Sequence, residues 1–419
     1  MPRLRVALVV VVALLVATVL THVPSQADEA TKSALPINGK ADPKFARFDE
    51  AMTTLLEKHK LPGATLAVAK DGVRVYSRGY GYADREAKQP MRPDTLLRIS
   101  SIAKPITAVA VLQLIERGKL RLDDKVMDVL KLRAPAKGFD PRWKKVTIRH
   151  LLEHRGGWDS EKSNDPMFIS PLIVREMGGN HPAMPWTIIR YMLKQEFDFE
   201  PGERFAYANF GYCLLGRVIE KVTGKFYEPA VKENVLAPLG IKRMRLGKTL
   251  YPDRAKDEGR YYSATKSVAV MGPFVGRQVA APYGGFCLEA MDAHGGWIAS
   301  AEELCDFACG VTNPDRCKIL KPESVRRYSS GQRAKRRAVY YGKGWVVRPF
   351  GSDKFERLAR RHDRGVVVPA RPPGRRGDVC RPVQQPREGQ EAGTGRGNRA
   401  AAAPRRQRRL QRQVNQAGL

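Results

Sequence analysis

Residues 98–107 read Arg-Ile-Ser-Ser-Ile-Ala-Lys-Pro-Ile-Thr and open a run with helical periodicity that ends near Gly118. Ser101 stands where the periodicity begins, and Lys104 follows three residues later. Residues three apart on a helix share a face, with about 5–6 Å between their Cβ atoms. A serine hydroxyl becomes nucleophilic when a neighbouring base takes its proton, and a partly buried lysine at a helix start is a usable base. We therefore predict that Ser101 is a nucleophile and that Lys104 is its base.

The same Ser-x-x-Lys spacing occurs a second time, at Ser263 and Lys266. Either copy could instead be a helix cap followed by a surface lysine. Ser101 begins a long stretch that we predict to be an amphipathic helix, whereas the segment after Ser263 soon reaches Gly272-Pro273. A helix cannot extend far before that proline, so the context favours Ser101.

A second polar element follows the turn at Pro201-Gly202, where Tyr207-Ala208-Asn209 precedes a helical stretch that ends at Gly224. Together with the Ser-x-x-Lys box, this Tyr-x-Asn box resembles the family of class C β-lactamases, D-alanyl-D-alanine carboxypeptidases and related esterases. That family is part of the serine β-lactamase and penicillin-binding-protein superfamily. The resemblance extends from about Phe48 to Arg348 and includes further stretches at residues 61–64, 147–152, 238–240 and 295–301.

The resemblance implies a role for each residue of the two boxes. Ser101 would be the acylated nucleophile and Lys104 its base; Tyr207 would shuttle a proton to and from the leaving group, and Asn209 would bind the substrate amide. Without the resemblance, Tyr207 and Asn209 could be a packed aromatic residue beside a turn residue. The implied enzyme is a serine hydrolase that uses no cofactor and acts on a D-alanyl peptide, a β-lactam or a small ester. The alternative is a catalytically inactive module that binds cell-wall peptides.

The family completes its site with a third box, Lys/His-x-Gly, on a strand near the C-terminus. No such box follows residues 341–345, where it is expected. His154-Arg155-Gly156 and His294-Gly295-Gly296 match its letters but lie too early, the latter just before a helix that we predict over Trp297–Phe307. A shift of reading frame near residue 355 would explain both this gap and the Arg-, Gly- and Pro-rich composition of residues 355–419. We therefore predict the family's fold with impaired activity.

A different chemistry is suggested by His150-Leu151-Leu152-Glu153-His154, which spells an inverted zinc-peptidase motif. Two histidines four residues apart on one helix could share a zinc ion, with Glu153 as the general base. The same stretch also falls inside the serine-hydrolase resemblance. We therefore predict no metal site and keep the zinc peptidase as the less favoured alternative.

Hydrophobic patterning predicts the fold class. Residues 64–69 and 73–76 are strand-like and flank Asp71-Gly72, which is typical of a hairpin turn. Helical periodicity dominates the middle of the chain, and strand-like character returns near Trp345–Val347. We expect an α+β fold in which an antiparallel β-sheet from the two ends of the chain is flanked by helices and carries an inserted, mostly helical part. The predicted divisions are a signal peptide at 1–27, the hydrolase domain at 28–354 and a disordered or frameshifted tail at 355–419.

The N-terminus predicts export. Residues 1–5 are basic, and residues 6–20 form an apolar run of about 15 residues, shorter than the roughly 20 that span a bilayer. We predict a periplasmic or extracellular protein; an uncleaved N-terminal membrane anchor is the alternative.

The formal net charge of +31 bears on the choice of partner. Residues 351–419 contribute +11 of it, and the remaining charge is not interleaved with aromatic residues. This distribution favours loose association with an anionic cell envelope over specific binding of nucleic acid. The expected partner is a small-molecule or peptidoglycan-peptide substrate, and the oligomeric state stays open.

Overall fold

A computed structural model describes residues 8–14, 35–328, 340–350, 354–358 and 370–371. Its strands, in chain order, are β1 (Leu8–Leu14), β2 (Ile37–Asn38), β3 (Gly63–Lys70), β4 (Val73–Asp84), β5 (Gln89–Pro90), β6 (Leu97–Arg98), β7 (Arg245–Leu246), β8 (Lys266–Val268), β9 (Gln278–Ala280), β10 (Trp297–Ala299), β11 (Tyr340–Tyr341), β12 (Val346–Phe350), β13 (Lys354–Leu358) and β14 (Ala370–Arg371).

The main sheet is antiparallel and is built on the predicted hairpin. Asp71 and Gly72 join β3 to β4 with φ values of +54° and +77°, the left-handed conformations that a two-residue hairpin turn favours. The strand order is β14-β1-β3-β4-β2, and β5 pairs with β4. Strands from both ends of the chain therefore share one sheet, which confirms the α+β class with an inserted helical part.

The helices lie mainly between β6 and β11, and one precedes the hairpin. In chain order they are α1 (Ala46–Lys58), α2 (Lys104–Glu116), α3 (Val126–Leu130), α4 (Ile148–Leu152), α5 (Ser160–Ser163), α6 (Ser170–Met177), α7 (Pro185–Met192), α8 (Asn209–Thr223), α9 (Tyr227–Val231), α10 (Ala301–Thr312) and α11 (Pro322–Tyr328). α10 packs across β1, β3 and β4, α1 packs on β3 and β4, and α2, α8 and α9 pack against one another in the main core.

Helix α2 lies at the centre of that core, so its predicted amphipathic character is wrong. Every residue from Lys104 to Leu114 is buried, and α8, α9 and α11 pack against it. A helix that is apolar on all sides needs such surroundings. The residue that begins this helix, Lys104, is consequently carried into the interior.

A small sheet holds the segment that precedes α2. Strand β10 pairs with β6 on one side and with β7 on the other. The helix predicted over Trp297–Phe307 is therefore wrong at its start: Ser300 accepts a hydrogen bond from the Glu303 N–H as the helix N-cap, and α10 begins at Ala301.

The C-terminal strands β11 to β13 form a sheet that is separate from the main one. The strand-like stretch near Trp345–Val347 corresponds to β12, which pairs with β11 and β13 in a three-stranded sheet of its own. It does not extend the main sheet because β1 covers the edge of β3, with Leu8 opposite Lys70 and Leu14 opposite Ala64.

Much of both predicted terminal segments lies outside the described residues. Of the predicted tail, the structure describes residues 355–358 within β13 and the short strand β14; of the predicted signal peptide, it describes β1. Cleavage, export and the reading-frame shift stay predictions. Within the ranges that the structure describes, no helix combines the length and apolar character needed to cross a bilayer.

Candidate active site

The Ser101 side chain projects from a short turn that backbone hydrogen bonds of Ile99 stabilise. A 3-10 turn, Ser100–Ala103, connects β6 to α2, and Ser100 adopts φ +48°. That left-handed conformation costs a non-glycine residue about 1–3 kcal/mol. Ile99 compensates by donating its N–H to the Trp297 carbonyl at 3.0 Å and accepting from the Ile102 N–H at 3.1 Å.

The Lys104 side chain is fully buried and surrounded by acceptors. Its Nζ donates to Ser101 Oγ at 3.0 Å, to Asn209 Oδ1 at 2.7 Å and to the backbone oxygen of His294 at 2.9 Å. These bonds satisfy all three N–H groups of an ammonium. In the neutral amine one of these positions becomes a lone pair, and Ser101 is the partner among the three that carries a hydroxyl proton. The geometry thus suits proton transfer between Ser101 and Lys104.

Burial sets the charge state of Lys104. Removal from water lowers the pKa of this lysine to about 7, and the negative charge of Asp165 opposes that decrease. Desolvation penalises the charged form of a group, so a substantial fraction of Lys104 is a neutral amine at neutral pH.

Tyr207 also contacts Ser101. Its hydroxyl lies 2.7 Å from Ser101 Oγ and 3.4 Å from Asn209 Oδ1. His154 supports it from behind: the two ring centroids are 4.4 Å apart, and the Ala206 N–H donates to the His154 carbonyl at 2.9 Å. The phenol is therefore fixed by packing and by the backbone on its N-terminal side.

Asn209, the first residue of α8, joins the tyrosine and the lysine. Its Oδ1 accepts from Lys104, while its Nδ2 donates to Asp165 Oδ2 at 2.6 Å. The structure thus brings together all four residues that the sequence singled out, although residues 101 and 207 are 106 positions apart.

A model of the family described as Beta-lactamase matches residues 48–369. The chain belongs to the beta-lactamase family. This membership confirms the resemblance to the serine β-lactamase and penicillin-binding-protein superfamily, whose fold the α+β architecture follows.

Curated relatives of this family member include an esterase and a penicillin-binding protein. The chain is 37% identical over 206 residues to esterase EstB of Burkholderia gladioli, a match that covers 47% of this chain and 50% of the esterase. It is 32% identical over 213 residues to penicillin-binding protein 4* of Bacillus subtilis (strain 168), a match that covers 48% of this chain and 42% of that protein. The chain spans about half the length of these relatives.

A solved structure shows the same fold. The octameric penicillin-binding protein homologue from Pyrococcus abyssi aligns with a TM-score of 0.57 and 28% identity, over 74% of this chain and 67% of that one. Sequence and structural neighbours therefore both place the protein in a superfamily of serine hydrolases.

The two histidine stretches that match the family's third box by letters lie in the core. His154 and His294 are both buried, and burial lowers the pKa of each imidazole well below its usual value. His154 packs against the phenol of Tyr207, and His294 contributes its backbone carbonyl to Lys104. Sequence reasoning missed both roles, and it also missed Asp165, because none of them falls in a recognisable spacing with Ser101.

The second Ser-x-x-Lys copy does not form a helix. Ser263 Oγ accepts a hydrogen bond from the Thr265 N–H at 3.1 Å, and Lys266 begins strand β8. Ser263 and Lys266 therefore do not lie one helical turn apart.

The inverted zinc motif is not assembled, which corrects that alternative. Helix α4 ends at Leu152, and His154 adopts φ +52°, so the two histidines do not share a helical face. His150 Nδ1 accepts from the Thr147 N–H at 3.4 Å, and Glu153 forms an ion pair with Lys343. In the part of the chain that the structure describes, no three His, Cys, Asp or Glu side chains are grouped as metal ligands.

A buried ion pair connects the C-terminal segment that contains Lys343 to Glu153, just after α4. Lys343 Nζ lies 3.1 Å from Glu153 Oε1, with the two side chains 2% and 7% exposed. The next residue, Gly344, approaches the start of α2 so closely that an added Cβ would lie 2.9 Å from the Pro105 Cα. The pair therefore connects the residues just after α4 to a loop that touches the helix carrying Lys104.

Replacing Lys343 with methionine is expected to lower the free energy of unfolding by about 3–5 kcal/mol, because Glu153 would stay buried without its partner. Urea unfolding followed by circular dichroism at pH 7 measures the change. The matched control is Lys145→Met, which breaks a pair with Glu200 whose side chains are 64% and 51% exposed and should cost at most about 1 kcal/mol. Equal losses in the two variants would contradict a structural role for the buried pair.

Proposed function

We propose that this beta-lactamase family member is a serine hydrolase that forms an acyl-enzyme at Ser101. The observation that carries the proposal is the position of Ser101 Oγ, 3.0 Å from the buried amine of Lys104 and 2.7 Å from the hydroxyl of Tyr207. A nucleophile in contact with both a base and a proton donor has what acyl transfer requires.

In the acylation step, the neutral Lys104 amine takes the Ser101 proton as Oγ bonds to the substrate carbonyl carbon. The bond to the leaving group then breaks, and Tyr207 donates a proton to that group. Transfer of the additional Lys104 proton to the phenolate restores both residues. Water then takes the place of the leaving group and cleaves the acyl-Ser101 ester by the same proton transfers in reverse order. One of the two Asn209 Nδ2 hydrogens is used in the bond to Asp165. We propose that the other donates to the carbonyl oxygen of the substrate amide.

The developing oxyanion would be held by a backbone N–H at the start of the Ser101 turn, where the Ile102 and Lys104 N–H groups already donate to the Ile99 and Ser101 carbonyls. The family places a second donor on the strand of the third box. No Lys/His-x-Gly sequence follows residues 341–345 in this chain. Since loss of one such donor lowers turnover by on the order of 10²–10³, we expect slow turnover with measurable acylation.

We propose a D-alanyl peptide, a β-lactam or a small ester as substrate, since all three present a carbonyl carbon with a leaving group. Such a substrate fits the export that we propose from the N-terminal sequence, because peptidoglycan lies outside the cytoplasm. Fractionation of cells that express the full chain tests that location.

Covalent labelling tests the reaction. After incubation with a fluorophosphonate or a fluorescent penicillin, intact mass should increase by one adduct, and peptide mapping should place the adduct on Ser101. The Ser263→Ala variant, which alters the second Ser-x-x-Lys copy, should be labelled like the wild type. Binding of the penicillin without any adduct would contradict the hydrolase and favour a cell-wall peptide-binding module.

The labelling rate should depend on pH through Lys104. Because burial lowers the pKa of this lysine to about 7, the base is protonated and inactive below that pH. The rate is expected to increase about tenfold per pH unit up to pH 7 and to level off above it. Labelling with a fluorophosphonate, quenched at fixed times at each pH between 5.5 and 9, measures the profile. A constant rate across this range, in protein that circular dichroism shows to be folded, would contradict Lys104 as the base.

A further inference from the structure

Asp165 stands next to the proposed site and belongs to neither sequence box. It precedes a 3-10 turn, Pro166–Phe168, and its Oδ1 accepts from the Met167 N–H at 3.0 Å. Its Oδ2 accepts from Asn209 Nδ2 at 2.6 Å. Because each carboxylate oxygen has a donor of its own, the half-buried group is fixed in place.

This carboxylate determines which way the Asn209 amide faces. With Nδ2 directed to Asp165, Oδ1 is directed to Lys104 Nζ at 2.7 Å. The opposite orientation would place an N–H against the ammonium of Lys104 and an oxygen against the carboxylate, and both contacts would be repulsive. Asp165, Asn209 and Lys104 therefore form an ordered chain from carboxylate to amide to amine.

We propose that Asp165 is the positioning residue of the site: through Asn209 it orients the lysine amine toward Ser101, and its charge sets the pH range in which that amine acts as a base. The proposal rests on the hydrolase function proposed above. It adds a residue that neither sequence box contains.

The other groups around Lys104 contribute little charge near neutral pH. The described groups that face it are His154 and His294, whose imidazoles burial keeps neutral by lowering the pKa, and the phenols of Tyr207 and Tyr212, whose rings lie 4.9 and 5.6 Å from Nζ. Burial raises the pKa of Tyr212, so its phenol is uncharged as well. Asp165 is the group whose negative charge raises the Lys104 pKa, and removal of that charge should lower it further.

Two substitutions separate charge from position. Asp165→Asn removes the charge but keeps an oxygen that can accept from Asn209. Asp165→Ala removes both. Asp159→Asn is the matched control, since Asp159 is a half-buried carboxylate that caps the neighbouring helix α5 and pairs with Arg204. Circular dichroism verifies that each full-length variant is folded.

The primary measurement is the titration of Lys104 by carbon NMR of protein labelled at lysine Cε, which requires no turnover. Both Asp165 variants should titrate at lower pH than the wild type, and Asp159→Asn should titrate with it. The labelling rate of the wild type is expected to increase with pH up to about pH 7, and this increase is the acid limb of its pH profile. The midpoint of the acid limb should move to lower pH in both Asp165 variants. The plateau rate should decrease roughly tenfold or more in Asp165→Ala, where the amide is no longer oriented, and stay within about threefold of the wild type in Asp165→Asn.

An unchanged or increased Lys104 titration midpoint in Asp165→Asn would overturn the proposal. A midpoint that moves equally in Asp159→Asn would overturn it too, because the effect would then follow from net charge. A wild type that titrates as described but never forms an adduct at Ser101 would refute the proposed function, while the NMR result would still decide whether Asp165 controls Lys104.

Discussion

Replacing Ser101 with alanine is expected to abolish the covalent adduct and to lower kcat for an activated ester by on the order of 10³–10⁴, because the missing oxyanion donor already reduces the roughly 10⁶ that such a nucleophile contributes in an intact site. The hydroxyl is the atom that both Lys104 Nζ and Tyr207 contact, at 3.0 and 2.7 Å, so its removal leaves a base and a proton donor with no nucleophile between them. Alanine fits because the 3-10 turn around residue 101 is held by backbone bonds of Ile99, and the fold should persist.

Initial rates of p-nitrophenyl ester hydrolysis, corrected for spontaneous hydrolysis, measure the loss. Ser263→Ala is again the comparison, because it removes a serine with the same sequence spacing to a lysine and should retain full activity. Hydrolysis by Ser101→Ala at more than about a hundredth of the wild-type rate would show that another group carries the reaction.

The sequence was sufficient to predict the four residues of the proposed chemistry because each box is local. Ser101 and Lys104 are brought together by helix geometry alone, and Tyr207 and Asn209 are two residues apart at a helix start. Their convergence across more than a hundred residues could be inferred only from the family resemblance, since helix and strand periods say nothing about which loops meet.

The supporting residues could not be predicted for a related reason. His294 acts through its backbone carbonyl, a group that every residue possesses and that no sequence pattern marks. Asp165 reads as an ordinary cap before a proline, and only its bond to Asn209 in the fold gives it a second role. Long-range contacts of this kind depend on packing, which a single sequence does not encode in its local patterns.

Two apolar segments are each compatible with more than one environment. Helix α2 was expected to be amphipathic, but it is buried from Lys104 to Leu114, and the apolar residues after Ser101 have the same spacing in either case. Residues 8–14 have the composition of a signal peptide, and the structure includes them as strand β1 beside β3. A short run of valines and leucines suits either an exported leader or a buried strand, so composition could not choose between these environments.

Replacing Lys104 with methionine is expected to lower kcat/KM by about 10²–10⁴, the usual contribution of a general base, and to remove the acid limb near pH 7. Methionine is close to lysine in length and carries no charge, so the fully buried position no longer requires an amine to be desolvated. Far-UV circular dichroism should therefore match the wild type. Ester hydrolysis between pH 5.5 and 9 measures both effects.

The two effects together distinguish a base from a structural lysine. A lysine that only filled space or bridged Asn209 to the His294 carbonyl would, when replaced, lower the rate equally at every pH and leave the limb near pH 7 in place. Loss of the limb requires that the titrating group is the amine itself. If Lys104→Met keeps an acid limb near pH 7, the proton must be taken by another group, and the contact between Nζ and Ser101 Oγ would serve to orient the hydroxyl.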